Sequence, residues 1–236
     1  MKKIVSLLMT ILMIVSVAIV SFSQSAFAKN NKGVTKYNIT NVNKSKKFSN
    51  NITYIKYYKK VVLKGSSKSI KKINKVLNAD CNKYMNKKTV EQEYQSIGSL
   101  NKLPSGMVST FRATHTSKMK YNKNNIISIS VSSYDSMGGV PNTTLYGYTY
   151  NVKTGKKLTI KNVTNYSEKK LKNEIIKKLQ KKYGNRLFKD YKKYVKNVYK
   201  LPFYITNNNK CVIAFKPYTV TSGGTYSSVT VKSKYK

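Results

Sequence analysis

The eleven residues "NIISISVSSYD" (125–135) constrain the fold more than any other stretch. Ile127, Ile129 and Val131 alternate with Ser128, Ser130 and Ser132. A period of two places each set on its own face of a strand, whereas a helix would scatter both around its circumference. The pattern predicts a half-buried strand, apolar side inward and hydroxyls outward. A second period, in steps of three and four, runs through Ile70, Ile73, Leu77, Cys81 and Tyr84. It predicts an amphipathic helix opened by Ser66 or Ser67 and reaching about Lys87. Leu171, Ile175, Leu179 and Tyr183 repeat it between a cap near Asn165 or Ser167 and Gly184, placed to end the helix. "LFKDYKKYVKNVY" (187–199) reads as a further helix, with Phe188, Tyr191, Val195 and Val198 inward.

Around these, "NITYIKYYKKVVLKG" (51–65) reads as a strand or a bent strand pair, and Thr143–Val152 as a strand. Thr154-Gly155 turns into another, "KKLTI", and "FYIT", "CVIAFK" and "SSVTVK" close the chain. Strands joined by tight turns and interrupted by a few helices indicate α+β, with a mainly antiparallel sheet or sheets and two or three amphipathic helices. Residues 29–50, dominated by Lys and Asn, read as a flexible polar leader. Ahead of them, Met1-Lys2-Lys3, an apolar run from Ile4 to Val20 and Ala26-Phe27-Ala28 have the order of a secretory signal peptide, 1–28. The expected product is secreted and soluble outside the membrane.

Charge narrows the function. Forty-six Lys and Arg face seven Asp and Glu, a net +39, which cleavage of the signal would lower to about +37. An A/T-rich genome would inflate Lys, Asn, Ile and Tyr, but Asp and Glu codons are about as accessible there, so codon drift does not explain the sign. Such a surface attracts anions within about a Debye length, roughly 8 Å at physiological salt. Anionic cell-wall polymers, peptidoglycan carboxylates, an anionic membrane surface and extracellular DNA all qualify as partners. The candidate patch is the outer side of the second helix: Lys169, Lys170, Lys172, Lys177, Lys178, Lys181 and Lys182.

Catalytic motifs are scarce. His115 is the sole histidine, too few for a His-rich zinc site, and its place in a strand favours a structural role. No nucleophile elbow accompanies it. Glu91 and Glu93 lie in what reads as a polar connector. Gly138-Gly139 fits neither a phosphate loop nor a dinucleotide fingerprint. The reading is a non-enzyme without cofactor or metal. Tyr146, Tyr148 and Tyr150 share a strand face with Val152; they read as core, with an exposed aromatic platform as the alternative. Cys81 and Cys211 could pair in an exported protein or pack as small hydrophobes, and the sequence leaves both open.

"ISISVSSYDSMGGVPNTTLYGYTYNVKTGKKLTIKNV", an amphipathic helix, then "LPFYITNNNKCVIAFKPYTVTSGGTYSSVTV" together resemble the DUF3298 domain. The preceding "ITYIKYYKKVVLKGSSKSIKKINKVLN" is similar to its companion, DUF4163 or PdaC-like. The resemblance implies a 51–106 part and a 107–236 part packed as one unit. Such pairs occur in extracytoplasmic proteins of Gram-positive bacteria, in N-terminal regions of peptidoglycan deacetylases and in RsiV-type anti-sigma ectodomains that sense lysozyme. It also makes the loop after the strand a sheet corner, with Asp135, Gly138, Gly139 and Asn142 as candidate ligand contacts. The deacetylase role needs an Asp-His-His metal site, which a single histidine cannot supply. An acidic residue often follows the family's "PY"; here Thr219 stands there. Lysozyme binding is therefore the alternative to anionic-polymer binding, and a wall hydrolase the third reading.

Overall fold

The computed structural model describes residues 33–136 and 140–236. The signal-peptide reading (1–28), the first residues of the leader and Gly138-Gly139 fall outside them. Six strands form one sheet in sequence order: β1 (Tyr37–Lys47), β2 (Ile52–Leu63), β3 (Ser109–Lys123), β4 (Ile126–Ser136), β5 (Asn142–Asn151) and the short β6 (Lys156–Lys157). Neighbours are antiparallel except β2 and β3, which run parallel from Ile52↔Ser109 to Lys59↔Thr116. Helices α1 (Lys68–Tyr84) and α2 (Lys87–Gly98) return the chain between them, as a parallel connection requires. Residues 51–106 and 107–236 thus share one sheet. A second, antiparallel sheet holds β7 (Phe203–Thr206), β8 (Lys210–Phe215) and β9 (Ser227–Lys232). This is α+β with a mostly antiparallel sheet, as the periodicities require.

Several expectations change. The polar leader is not a tail over residues 37–47: these form β1, paired with β2 along its whole length. Its side chains are half-buried at best, so backbone pairing rather than hydrophobic periodicity orders it, and composition carried no signal of that. The polar connector holding Glu91 and Glu93 is α2, started by Asn86, whose side-chain oxygen accepts from the N–H groups of Lys88 and Thr89. "KKLTI" is a strand for only two residues before a single helical turn, α3 (Ile160–Val163), buries Ile160 and Val163. "LFKDYKKYVKNVY" forms two 3-10 turns, Tyr191–Tyr194 and Val198–Lys200, because Asn197 takes a left-handed conformation (φ 49°) between them. Tyr191, Val195 and Val198 are buried as expected, whereas Phe188 is exposed.

The alternating strand, β4, is buried on both sides. Its Ile face packs with Val61, Ile73, Leu77 and Tyr150 under α1. Its serine face is covered too: Ser128 is 0% exposed. The Ser128 hydroxyl accepts from the Ile205 N–H of β7 at 2.9 Å and lies 2.8 Å from Thr149 Oγ1. These small polar groups face a second sheet rather than water, and their hydrogen bonds offset the desolvation. The tyrosine face of β5 is core, with Tyr150 buried and Tyr146 and Tyr148 packed at its margin.

Cys81 and Cys211 form no disulfide. Cys81 packs with Tyr58 and Met85 at the end of α1, while Cys211 lies on β8 in the core beneath α4 (Glu168–Tyr183). Burial pushes both thiols up, which keeps them protonated and suits them to packing.

Candidate functional site

Two arrangements stand apart from ordinary packing. The first begins at β2, where alternation turns Ile52, Tyr54, Lys56 and Tyr58 to the same side, toward the helices. A lysine on that row is 1% exposed. Its Nζ lies 2.6 and 2.7 Å from the two carboxylate oxygens of Glu93 on α2. Tyr54 donates its hydroxyl to Glu93 Oε2 at 2.9 Å. The Lys56 ammonium also sits 4.3 Å from the centroid of the Tyr84 ring, close enough for a cation–π contribution.

Strand register carries the network across the sheet. His115 of β3 stands opposite Tyr58, and Asp135 of β4 opposite Ala113, the partner of Lys56. Tyr84 stacks on His115 at 3.6 Å between centroids and 19° between planes, and donates to Asp135 Oδ1 at 3.4 Å. Asp80, one helical turn before Tyr84, accepts from the hydroxyls of Tyr58 (2.5 Å) and Tyr146 (2.8 Å) through a single oxygen. Three of the seven acids, the only histidine and a buried lysine therefore meet within one tyrosine-walled cluster.

The environment sets the protonation states. Burial, with Glu93 beside Tyr54 and Asp80 beside Tyr58 and Tyr146, pushes these phenols far above their ordinary range, so they remain donors. Burial raises the Asp135 carboxyl, while the Tyr84 hydroxyl and Lys56 pull it back. Burial pushes His115 down to about 4, with Lys56 adding to the effect and Asp80 opposing it. The imidazole is thus neutral at pH 7, and its buried Nδ1 has no partner among the described residues. Among the described residues no group of three or more His, Cys, Asp and Glu is placed to hold a metal ion. With its acids accepting from tyrosines or lysine, the cluster offers hydrogen bonding and attraction for cations at its half-exposed edge.

His115 carries a pH signature. A base whose folded pKa is depressed stays neutral while the unfolded chain binds a proton, so stability falls as pH drops from 6.5 toward 4. The raised Asp135 works the other way, favouring the folded state as its carboxyl protonates toward the acid end of that window. Urea titrations between pH 4 and 7 are expected to show a slope approaching one proton, removed in His115→Phe. An unchanged slope in that variant would reassign it.

The second arrangement is the outer side of α4. Its inner stripe, Leu171, Ile175 and Leu179, is 0% exposed. Ser167 caps the helix by accepting from the Lys170 N–H at 3.3 Å, and Gly184 ends it. Lys169, Lys170, Lys172, Lys177, Lys181 and Lys182 are exposed. Lys178 is half-exposed and pairs with Glu174 at 3.3 Å, while Lys182 Nζ donates to the Ser228 carbonyl at 2.9 Å.

The sequence-derived site residues therefore divide. The lysines lie together on the helix that covers the second sheet. Asp135 is drawn into the tyrosine cluster on the first. Asn142 is exposed and pairs with Asp135 across β4 and β5. Sequence reading gave His115 a structural role and Tyr146 a place in the core, but did not join them with Asp80, Glu93, Tyr54, Tyr58 and Tyr84. The cluster's one signal was Lys56 on the buried parity of β2, a position that demands a carboxylate.

The sequence matches no protein-family profile and no curated protein. The structure is more informative. It is similar to the crystal structure of a DUF3298 family member from Bacteroides fragilis NCTC 9343 (TM-score 0.54, 11% identity), over 86% of this chain and 91% of that one. The chain has the DUF3298 fold. A DUF3298 family protein from Pseudomonas aeruginosa PAO1 is similar as well, with TM-score 0.50 and 12% identity over 83% and 89% of the two chains. At these identities the likeness concerns the DUF3298 fold alone. No helix among the described residues is long and apolar enough to cross a membrane.

Proposed function

We propose that this protein is a secreted, non-catalytic binder of anionic cell-envelope polymers in a Gram-positive bacterium, held to them mainly by its lysines. The observation that carries this reading is the cationic side of α4, where six exposed lysines have little carboxylate to neutralise them. Among the described residues there are three ion pairs: Lys56–Glu93, Lys178–Glu174 and Lys193–Asp190. Folding thus leaves most of the charge for a partner, and long-range attraction governs both the encounter and its salt dependence.

The test is retention of residues 29–236 on purified Gram-positive sacculi, with and without teichoic acid, at low and high salt. Retention is expected at low salt only, and to disappear with the teichoic acid. Reversing Lys169, Lys172, Lys177 and Lys181 to Glu is expected to abolish it. Retention that ignores both salt and teichoic acid would sink the reading.

A second reading draws on the first arrangement. Asp80, Glu93 and Asp135 give a strongly basic protein one locally acidic, aromatic place, the kind of surface a cationic protein such as lysozyme would seek. A lysozyme-coated resin run beside the sacculi separates the two; capture there, and not on sacculi, would favour it.

A further inference from the structure

We infer that the groove between the start of α4 and the Lys196–Asn197 corner is a seat for a phosphate group of a phosphodiester polymer. The inference rests on the polymer-binding reading above and assigns its point of specific contact. The groove has a volume of about 580 Å³ and is lined by Glu168, Lys169, Lys172 and the segment Val195–Val198. A second depression of about 370 Å³ adjoins it across Lys169 and adds Lys170, Asn173 and Lys177. Cations therefore converge from two separate elements, Lys169 and Lys172 from the helix and Lys196 from the corner. A lysine-covered helix alone would present its charges divergently.

The corner adds a second kind of donor. Asn197 is left-handed (φ 49°, ψ 50°), and its carbonyl is engaged by the Lys200 N–H at 2.8 Å. Among the described residues no main-chain carbonyl outside the regular elements accepts from the N–H groups of Lys196, Asn197 or Val198. Successive main-chain N–H groups beside a left-handed residue form a concavity suited to an anion. Side-chain amides of Asn173 and Asn197 border the same depressions. The acids at the rim are Glu168 and Glu174, the latter paired with Lys178.

A phosphodiester fits this better than a carboxylate polymer. Its tetrahedral group offers acceptors in several directions to lysines on opposite walls, and the bridging carbons can lie on the lysine stems. DNA would spread its phosphates beyond the groove and gain nothing from the corner.

The test compares two charge-matched variants of the full mature chain by anisotropy with labelled poly(glycerol phosphate), a phosphodiester polymer. One is Lys169→Gln with Lys172→Gln and Lys196→Gln; the other alters the exposed α1 lysines, Lys68→Gln with Lys71→Gln and Lys75→Gln. The groove variant is expected to lose about tenfold in affinity at physiological salt, with its log–log salt slope reduced by about two to three. The α1 variant is expected to change less than about threefold. Equal losses would overturn the seat while leaving the polymer-binding reading intact. Wild-type protein that fails to bind at any salt would remove both. Amide resonances of Lys196, Asn197 and Val198 are expected to move on titration with inorganic phosphate, and their silence would also overturn the seat. Phosphatidylglycerol vesicles form a parallel arm; a groove-specific loss there, absent with poly(glycerol phosphate), would assign the seat to a lipid headgroup and overturn the polymer.

Discussion

Lys56→Ala is expected to destabilise the protein by about 3 kcal/mol, near the lower end for removing one partner of a buried ion pair. The lysine is 1% exposed, whereas the Glu93 side chain retains 26%; water can reach the stranded carboxylate and limit the loss. Glu93 would keep only the Tyr54 hydroxyl, and Tyr84 would lose the ammonium over its ring. The effect is expected to concentrate in α2, a twelve-residue helix with two buried side chains, Val90 and Ile97. Hydrogen exchange should therefore quicken along Lys87–Gly98 before it does in β4. The informative control is Lys56→Met with Glu93→Leu. If the cost lies in the orphaned carboxylate, the double variant recovers most of the urea midpoint lost by Lys56→Ala. A single variant as stable as wild type would mean that the pair is held no more tightly than a surface one.

How much of this was legible follows from what each residue type announces. The Ile127–Val131 alternation and the α1 and α4 stripes declared their elements because burial there repeats with the backbone period. β1 escaped because its side chains stay half-exposed and its pairing is a backbone matter. α2 escaped because two buried positions in twelve make a stripe too thin to separate from a polar linker. The lysine face of α4 was readable from the opposing stripe. The tyrosine cluster was not, since Asp80, Glu93, His115 and Asp135 come from four elements and meet only through the β2–β3–β4 register. Their number misled as well. Seven acids in so basic a chain look scattered along the sequence, yet three converge, because a buried lysine and a set of buried phenols need acceptors.

Gly147→Ala is the other large effect expected, and it concerns the junction of the two sheets. Gly147 lies on the face of β5 away from the tyrosines, where β7 crosses. A Cβ there would collide with the Phe203 carbonyl oxygen, and would come within 2.9 Å of Tyr204 Cβ and 3.0 Å of the Ile129 carbonyl oxygen. Two of the three obstacles are backbone, so no side-chain rotation relieves them. The glycine is required for space, since its backbone is not among the positive-φ residues. β7 must move outward, and the Ile205 N–H then leaves the Ser128 hydroxyl, stranding a buried donor while the hydroxyl keeps Thr149. A loss of about 3 kcal/mol is expected, at the upper end for forced overpacking, or a fall in melting temperature of roughly 6–12 °C for a chain of this size. A change within about 2 °C would show that the sheets can slide to admit a methyl. The second sheet carries α4 over a core separate from that beneath α1, with Leu171, Ile175, Leu179, Ile213 and Val231, to which the first sheet adds Tyr121 and Ile126. If the lysine face is sufficient for polymer binding, a folded fraction of Gly147→Ala should retain it at low salt even as the tyrosine cluster, on the far face of β4 and β5, loses its support. Loss of both together would make the junction, rather than the helix alone, the unit that presents the charge.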